Sequence, residues 1–419
     1  SSTPSSKKPF KPNANGEHQK KQGGAVNGHA GHSRVLFTAE QADEIIDVKP
    51  FDEACPDCGG ALELKAIDER AVVEGQMLKP KKVLFRCHTK RCVDCRKVLS
   101  RAAPVLPRHK YGTQFLSNAV IMHYLHGIPM KRVEDLWGSD VVAGNLIKNF
   151  HELAGLFEAM LERIKQDYRA SAVKHADETG WRTEGSNGYS WLFSSADTSF
   201  FRFEQTRASS VVVDMLGEKR LPGVLVVDRY AAYNKAPCAL QYCYAHLLRK
   251  VKDAQKEFSD EAEVKRFVET VAPLLSKAMW LRGEKISDKQ YYKRAMQLKE
   301  DIMAAMNSPG QHPAVQEIQD IFREKKQRLF HWVENRKVPA DNNRAERELR
   351  PTVIARKVSF GSQSKRGAKT RSVLMSVLHT VSKRLSKGQR VEDWLNGVLQ
   401  AYIHEPNVDF VSLLPRKPP

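Results

Sequence analysis

Three acidic residues of this 419-residue chain stand where the surrounding sequence gives a carboxylate a chemical use. Asp177 closes a strand candidate in AVKHADE, and Asp228 closes the short apolar run GVLVVD. Such a run is what a buried central strand requires. In an α/β sheet, residues at the carboxyl ends of strands point into the functional crevice. Two aspartates on adjacent strands repel one another unless a cation lies between them. Mg²⁺ takes hard oxygen ligands and leaves room for water and substrate phosphate. Two such ions about 3.5–4 Å apart can clamp the attacking and leaving oxygens of an in-line phosphoryl displacement. A third carboxylate would complete the set, and the stretch DNNRAERELRPTVIARK (341–357) offers Glu346 and Glu348 on what reads as a helix. Asn342, Glu346 and Arg350 recur every fourth residue and share a face, with Asn343 beside them. Glu348 lies about 200° further round. Glu346 is therefore the expected ligand, and Glu348 is expected to form a surface salt bridge.

The elements that must position these residues can be read in order. Residues 1–34 are a basic, Ser/Gly/Pro/Asn-rich arm, with six Lys or Arg against one Glu. Residues 35–105 contain β-like pieces, FTAEQADEIID and KKVLFRC, around five cysteines. Cys55, Cys58, Cys92 and Cys95 form two Cys-x-x-Cys knuckles, a spacing that suits adjacent corners of a structural Zn²⁺ tetrahedron; Cys87 and His88 could replace a ligand. Residues 106–168 hold three helical segments with tight turns, resembling a helix-turn-helix module. From 169 to 246 the pattern is three strands, a helix ending at Gly217, a strand, a short helix and the strand LQYCYA. That is the order of a ribonuclease-H-like α/β fold, with antiparallel first strands and parallel later ones. Residues 247–338 are a helical insertion of two to four helices, with breaks near Gly283, Ser308–Gly310 and Pro313. The core resumes at 339–380 with the glutamate helix, and 381–419 are C-terminal helices and tail. Between Arg356 and Arg371 a Gly/Ser/Lys loop carries Arg356, Lys357, Lys365, Arg366, Lys369 and Arg371 without an acid, as a clamp on DNA phosphates would.

The bulk charge agrees with a polyanionic partner. Lys and Arg number 68 and Asp and Glu 49, a net charge of +19, and phosphate contacts supply affinity independent of base sequence. No apolar run reaches the roughly 18 residues of a membrane span. The cysteine usage suits metal binding in a reducing compartment. The chain opens on Ser rather than Met, which reads as a fragment or a processed start.

Taken together, HADETGW, VVDRYAAYN, CYAHLLRK and DNNRAERELRPTVIARK resemble, in this order, the DDE transposases of bacterial insertion sequences, and best the family of insertion sequence sixty-six. The resemblance runs over roughly residues 20 to 405, with GHAGHSR and CPDCGG matching upstream. It implies a ribonuclease-H-like core, Asp177, Asp228 and Glu346 as the acidic triad, and two Mg²⁺ or Mn²⁺ ions. Double-stranded DNA is the implied substrate, both element ends and target. The implied setting is the bacterial cytoplasm and nucleoid, with a homodimer or higher oligomer on DNA and accessory proteins of the same element as further partners. Cys243 and His246 in CYAH resemble a Cys-x-x-His motif that braces the active site, with Asn342 and Arg350 as further support. Against the family's pattern, the N-terminal coiled-coil or helix-turn-helix region looks shortened. Two other expectations stand beside this one: a ribonuclease-H-like nuclease or resolvase, and a catalytically silent zinc-ribbon DNA-binding protein.

Overall fold

The computed structural model describes residues 81–417, apart from positions 92, 94, 96, 97, 101, 108, 139 and 140, together with Glu40. The basic arm, the strand expected at FTAEQADEIID, and Cys55, Cys58 and Cys92 lie outside the described residues. Cys87 and Cys95 are exposed free thiols. Near them β1 (Thr89–Arg91) and β2 (Val98–Ser100) pair antiparallel, with Lys90 opposite Leu99. The strand expected at KKVLFRC thus begins later, after its cysteine.

The main sheet has β3 (Val173–Thr183), β4 (Ser186–Ser194), β5 (Ser199–Glu204), β6 (Val224–Val227) and β7 (Ala239–Tyr242), in the spatial order β5-β4-β3-β6-β7. The pairs β3–β4 and β4–β5 are antiparallel; β3–β6 and β6–β7 are parallel. The antiparallel-then-parallel order expected from the sequence is therefore present. β3 does two jobs. Val173–His175 pair with β6, while His175–Thr183 pair with β4. Asp177 is consequently mid-strand rather than at a strand end, two residues past the last rung to β6. Gly223 lets β6 start beside β3: it has φ +74°, and a Cβ there would lie 2.0 Å from the Ala172 carbonyl oxygen.

Helices cover the sheet. α1 (Thr113–Tyr124), α2 (Met130–Trp137) and α3 (Ala143–Ala170) precede it, and α4 (Ser210–Leu216) follows β5, ending at Gly217. α5 (Tyr244–Glu257), α6 (Ala262–Leu281), α7 (Asp288–Asn307), α8 (Pro313–Glu324) and the short α9 (His331–Glu334) form the helical block after β7. The breaks near Gly283 and at 308–312 fall where expected, and further breaks at 258–261 and 325–330 make five helices rather than two to four. α10 (Asn343–Ser359) crosses β3 and β4, and α11 (Lys365–Arg384) packs on α3 and β5. α12 (Val391–His404) packs on α1. The α1–α3 segment thus shares its core with the C-terminal helices.

The edge strand β5 is closed by side chains. On α11, Ser372, Ser376 and Thr380 recur every fourth residue on one face. Ser376 Oγ accepts from Phe201 N at 2.8 Å, Thr380 Oγ1 accepts from Ser199 N at 3.0 Å, and Ser372 Oγ donates to Phe201 O at 2.6 Å. An exposed strand edge would otherwise present these groups to another chain.

The helical block leaves and rejoins the sheet at one point. Tyr244 N donates to Ala340 O at 2.8 Å, and Asn342 N donates to Cys243 Sγ at 3.1 Å. Among the described residues no helix is long and apolar enough to cross a membrane.

Candidate active site

The parallel register places the two aspartates. His175 lies opposite Val226, and extending that register by two places puts Asp177 opposite Asp228, just where backbone pairing has ended. Side chains alternate along a strand, so His175, Asp177 and Thr179 share a face of β3. That face meets α10. His175 Nδ1 donates to Asn342 Oδ1 at 2.9 Å, and Arg356 Nη1 donates to Thr179 Oγ1 at 3.1 Å and to Gly180 O at 2.7 Å. Asp177 therefore faces the glutamate helix. Burial, then the charges of Glu178, Asp228 and Glu346, hold its carboxyl well above the usual range.

Asn342 fixes the junction. It is fully buried, its Nδ2 donates to Ala176 O at 2.8 Å, and its backbone N–H meets the Cys243 thiol. Strand β3, the start of α5 and the start of α10 are thereby tied through one residue. Burial lowers His175 to about 4, so it is neutral and its Nδ1–H is free to donate.

Glu346 sits in the first turn of α10 with His246 nearby; His246 Nδ1 and Glu346 Oε1 are 3.8 Å apart. Neither atom is accessible to solvent or has a hydrogen-bond partner among the described residues. Ligand atoms of Cys243, His246 and Glu346 lie within 4.8 Å of one another. Cys243 is the residue that starts α5, not part of the strand expected at LQYCYA. Burial pushes its thiol up to about 12, so it is protonated at neutral pH when no metal is bound. The carboxylates are different. Like-charged oxygen donors that raise one another, with a buried Glu346 oxygen lacking a hydrogen-bond partner, suit a hard divalent cation, although among the described residues the ligand atoms within 4.8 Å of one another include Glu346 and neither aspartate.

Several sequence-based expectations change. Glu348 is not a surface salt bridge. Its carboxylate accepts from Ser194 Oγ at 2.8 Å, from Ser199 Oγ at 2.9 Å and from Lys383 Nζ at 2.8–2.9 Å, with both charged side chains about five-sixths buried. The basic stretch is not one loop, because α11 begins at Lys365 with Ser364 as its cap. Arg371 is buried: it meets His123 Nε2 at 3.0 Å and stacks over Tyr124 and Trp181. Arg356 is committed to β3, and Lys369 pairs with Glu158 at 2.7 Å. Lys357, Lys365 and Arg366 are exposed. Arg350 is exposed while Asn342 is buried, so the face they share runs from interior to solvent.

Sequence reasoning passed over Glu178. Its side chain points to the opposite face of β3, where it accepts from Arg207 Nε at 2.8 Å and from the Tyr233 hydroxyl. Arg207 lies 3.8 Å over the Tyr230 ring. The period-two alternation that puts Asp177 towards α10 puts Glu178 away from it, and that signal was available in HADETGW.

A mixed five-stranded sheet with Asp177 on β3, Asp228 just past β6 and Glu346 on the covering helix α10 defines a mixed α/β protein. The chain belongs to the IS66 family of transposases, whose family profile matches residues 108–370. That span holds all three acids and is shorter than the region over which the sequence blocks resembled the family. A curated relative, the uncharacterized protein y4qI of Sinorhizobium fredii, is 24% identical over 331 residues, which is 68% of this chain. The match spans 58% of that relative's length.

Proposed function

We propose that the protein is a DDE transposase with a ribonuclease-H-like core, in which Asp177, Asp228 and Glu346 would hold two Mg²⁺ or Mn²⁺ ions. When bound, such ions polarise the attacked phosphate and favour the attacking and leaving oxygens. The chain's own residues supply position. Asn342 fixes α10 against β3, and the Glu348–Lys383 pair holds the same helix from beneath. His246 offers a neutral imidazole beside Glu346, because burial lowers its pKa. In the proposed reaction a water oxygen bonds to phosphorus at the element end and the 3′ oxygen leaves as a hydroxyl. That hydroxyl then bonds to a phosphorus of target DNA, and a target 3′ oxygen leaves. No covalent enzyme intermediate is needed, so catalysis is positioning and charge stabilisation.

The observation that carries this reading is that the charges of Asp228 and Glu346, both far from Asp177 in sequence, raise the buried Asp177 carboxyl, in a chain of net charge +19. The remaining parts follow the same reading: a DNA-bound homodimer or higher oligomer in the bacterial cytoplasm, with accessory proteins of its element. Cys55, Cys58, Cys92 and Cys95 would hold a structural Zn²⁺, and Lys357, Lys365 and Arg366 would contact phosphates. The test is Asp228→Asn on duplexes bearing the ends of the element. DNA binding should persist while Mg²⁺-dependent joining falls more than about 100-fold. Full joining by this variant sinks the proposal, and cleavage without joining by the unaltered protein would make it a nuclease.

A further inference from the structure

The end of α10 presents an aromatic ring that neither packing nor backbone preference explains. Phe360 has φ 59° and ψ −3°, in the left-handed region, and is 74% exposed. This position after a helix usually belongs to glycine, and a bulky residue there is strained. The glycine is instead one place later. Gly361 has φ +133°, and a Cβ on it would lie 2.2 Å from the Arg182 carbonyl oxygen. The loop is pinned: Ser362 N donates to Arg182 O at 2.9 Å, Glu184 N to Ser362 O at 3.0 Å, and Trp181 Nε1 to Ser362 Oγ at 3.1 Å. Phe360 thus stands out from a braced support, and strain of this kind collects at ligand-contacting positions.

A stripe leads to it along α10. Arg347, Arg350, Ile354, Lys357 and Val358 recur at three- and four-residue spacing and are all exposed. The three cations make no hydrogen bond or ion pair with any other described residue. The stripe starts one residue after Glu346. From Glu346 to Phe360 the helix rises 14 residues, roughly 21 Å at 1.5 Å each. At 3.4 Å per nucleotide that is about six nucleotides. An unpaired cationic track ending in an exposed ring complements a polyanion that carries flat, stackable groups.

We propose that Phe360 is a wedge that stacks on an unpaired nucleobase of DNA, about six nucleotides from the phosphate at Glu346, while Arg347, Arg350 and Lys357 hold the intervening backbone. Apolar side chains inserted at base steps unstack duplex DNA in this way. The inference rests on the reading of this protein as one that acts on DNA. The rival occupant of the ring is a second copy of the chain.

The probe is a duplex with a single unpaired 2-aminopurine, compared with its fully paired counterpart. The unaltered protein should bind the opened duplex about tenfold more tightly and quench the probe. Phe360→Gly should unfold at the same or a higher temperature, because glycine relieves the left-handed strain, yet lose both preference and quenching. Phe360→Trp should keep both. Equal preference in Phe360→Gly, or no quenching by the unaltered protein, overturns the inference. So does a dimer seen by sedimentation without DNA that the glycine variant alone loses. Preference and quenching without any joining of element ends would remove the transposase reading and leave this one standing. Joining that is indifferent to Phe360 on paired and opened ends would do the reverse.

Discussion

Replacing Lys383 by Met asks whether the glutamate helix is anchored from below. Met keeps the apolar stem and leaves no cavity, so the change removes chiefly the ammonium. Lys383 Nζ donates to Glu348 at 2.8–2.9 Å, to Ser195 O at 2.9 Å and to Thr198 O at 2.7 Å. Thr198 O also accepts from Ser195 N, and Ser195 O also accepts from Arg344, so neither carbonyl is orphaned. The loss therefore concentrates on Glu348, a carboxylate left in the interior with only the Ser194 and Ser199 hydroxyls. Breaking a buried pair from one side costs about 3–5 kcal/mol. Because the two side chains keep about a sixth of their exposure, the lower end, about 3 kcal/mol, is expected. Urea unfolding should show a lower midpoint with an unchanged slope. Adding Glu348→Gln should recover more than half, since a neutral amide no longer needs the cation. A loss under about 1 kcal/mol for Lys383→Met, the value of an exposed pair, refutes the anchoring.

Two further perturbations probe the same frame. His123 is held neutral, its Nδ1–H donating to Ile128 O at 2.8 Å while Nε2 accepts from Arg371, and burial followed by the Arg371 charge lowers it from 6.5 to about 3. Between those values the unfolded chain binds a proton that the folded chain refuses, so its contribution is full above pH 6.5 and is lost as pH falls, by about 1.4 kcal/mol per unit. His123→Gln should flatten the pH dependence of urea unfolding by one proton in this window; an unchanged slope contradicts the assignment. Asn342→Ala orphans the His175 Nδ1–H and one acceptor bond of Ala176, costing about 2–6 kcal/mol at about 1–3 for each group. It should lower Mg²⁺-dependent joining while DNA binding persists; unaltered stability and joining would show that Asn342 is not the tie between β3 and α10.

The parts legible from sequence were those encoded locally. The Val/Leu run ending in Asp228 gave β6, and Gly217 gave the end of α4. What was missed depends on partners far along the chain. Glu348 reads as a surface charge until Lys383, 35 residues later, and two serines of β4 and β5 enclose it. Arg371 reads as a phosphate contact until His123, Tyr124 and Trp181 surround it. The Gly and Lys of SKRGAKTR suggest a loop, yet the Ser364 hydroxyl accepts from Gly367 N at 3.0 Å and starts a helix whose buried face lies beyond that window. The strand candidate AVKHADE stops near Asp177, whereas pairing with all of β4, distant from the AVKHADE window, carries the strand on to Thr183.

The 118 residues that separate Asp228 from Glu346 also have a meaning in time. At about 5–20 residues per second of synthesis, Glu346 follows Asp228 by about 6–24 s. During that interval a nascent chain owns two of its three acids and neither the helix that faces Asp177 nor the hydroxyl row that closes β5. Under the function proposed here, a growing polypeptide would be unable to cut the chromosome beside which it is being made. The same delay leaves the edge of β5 bare until α11 is synthesised, which makes this the period in which the chain is most exposed to pairing with its neighbours on a polysome.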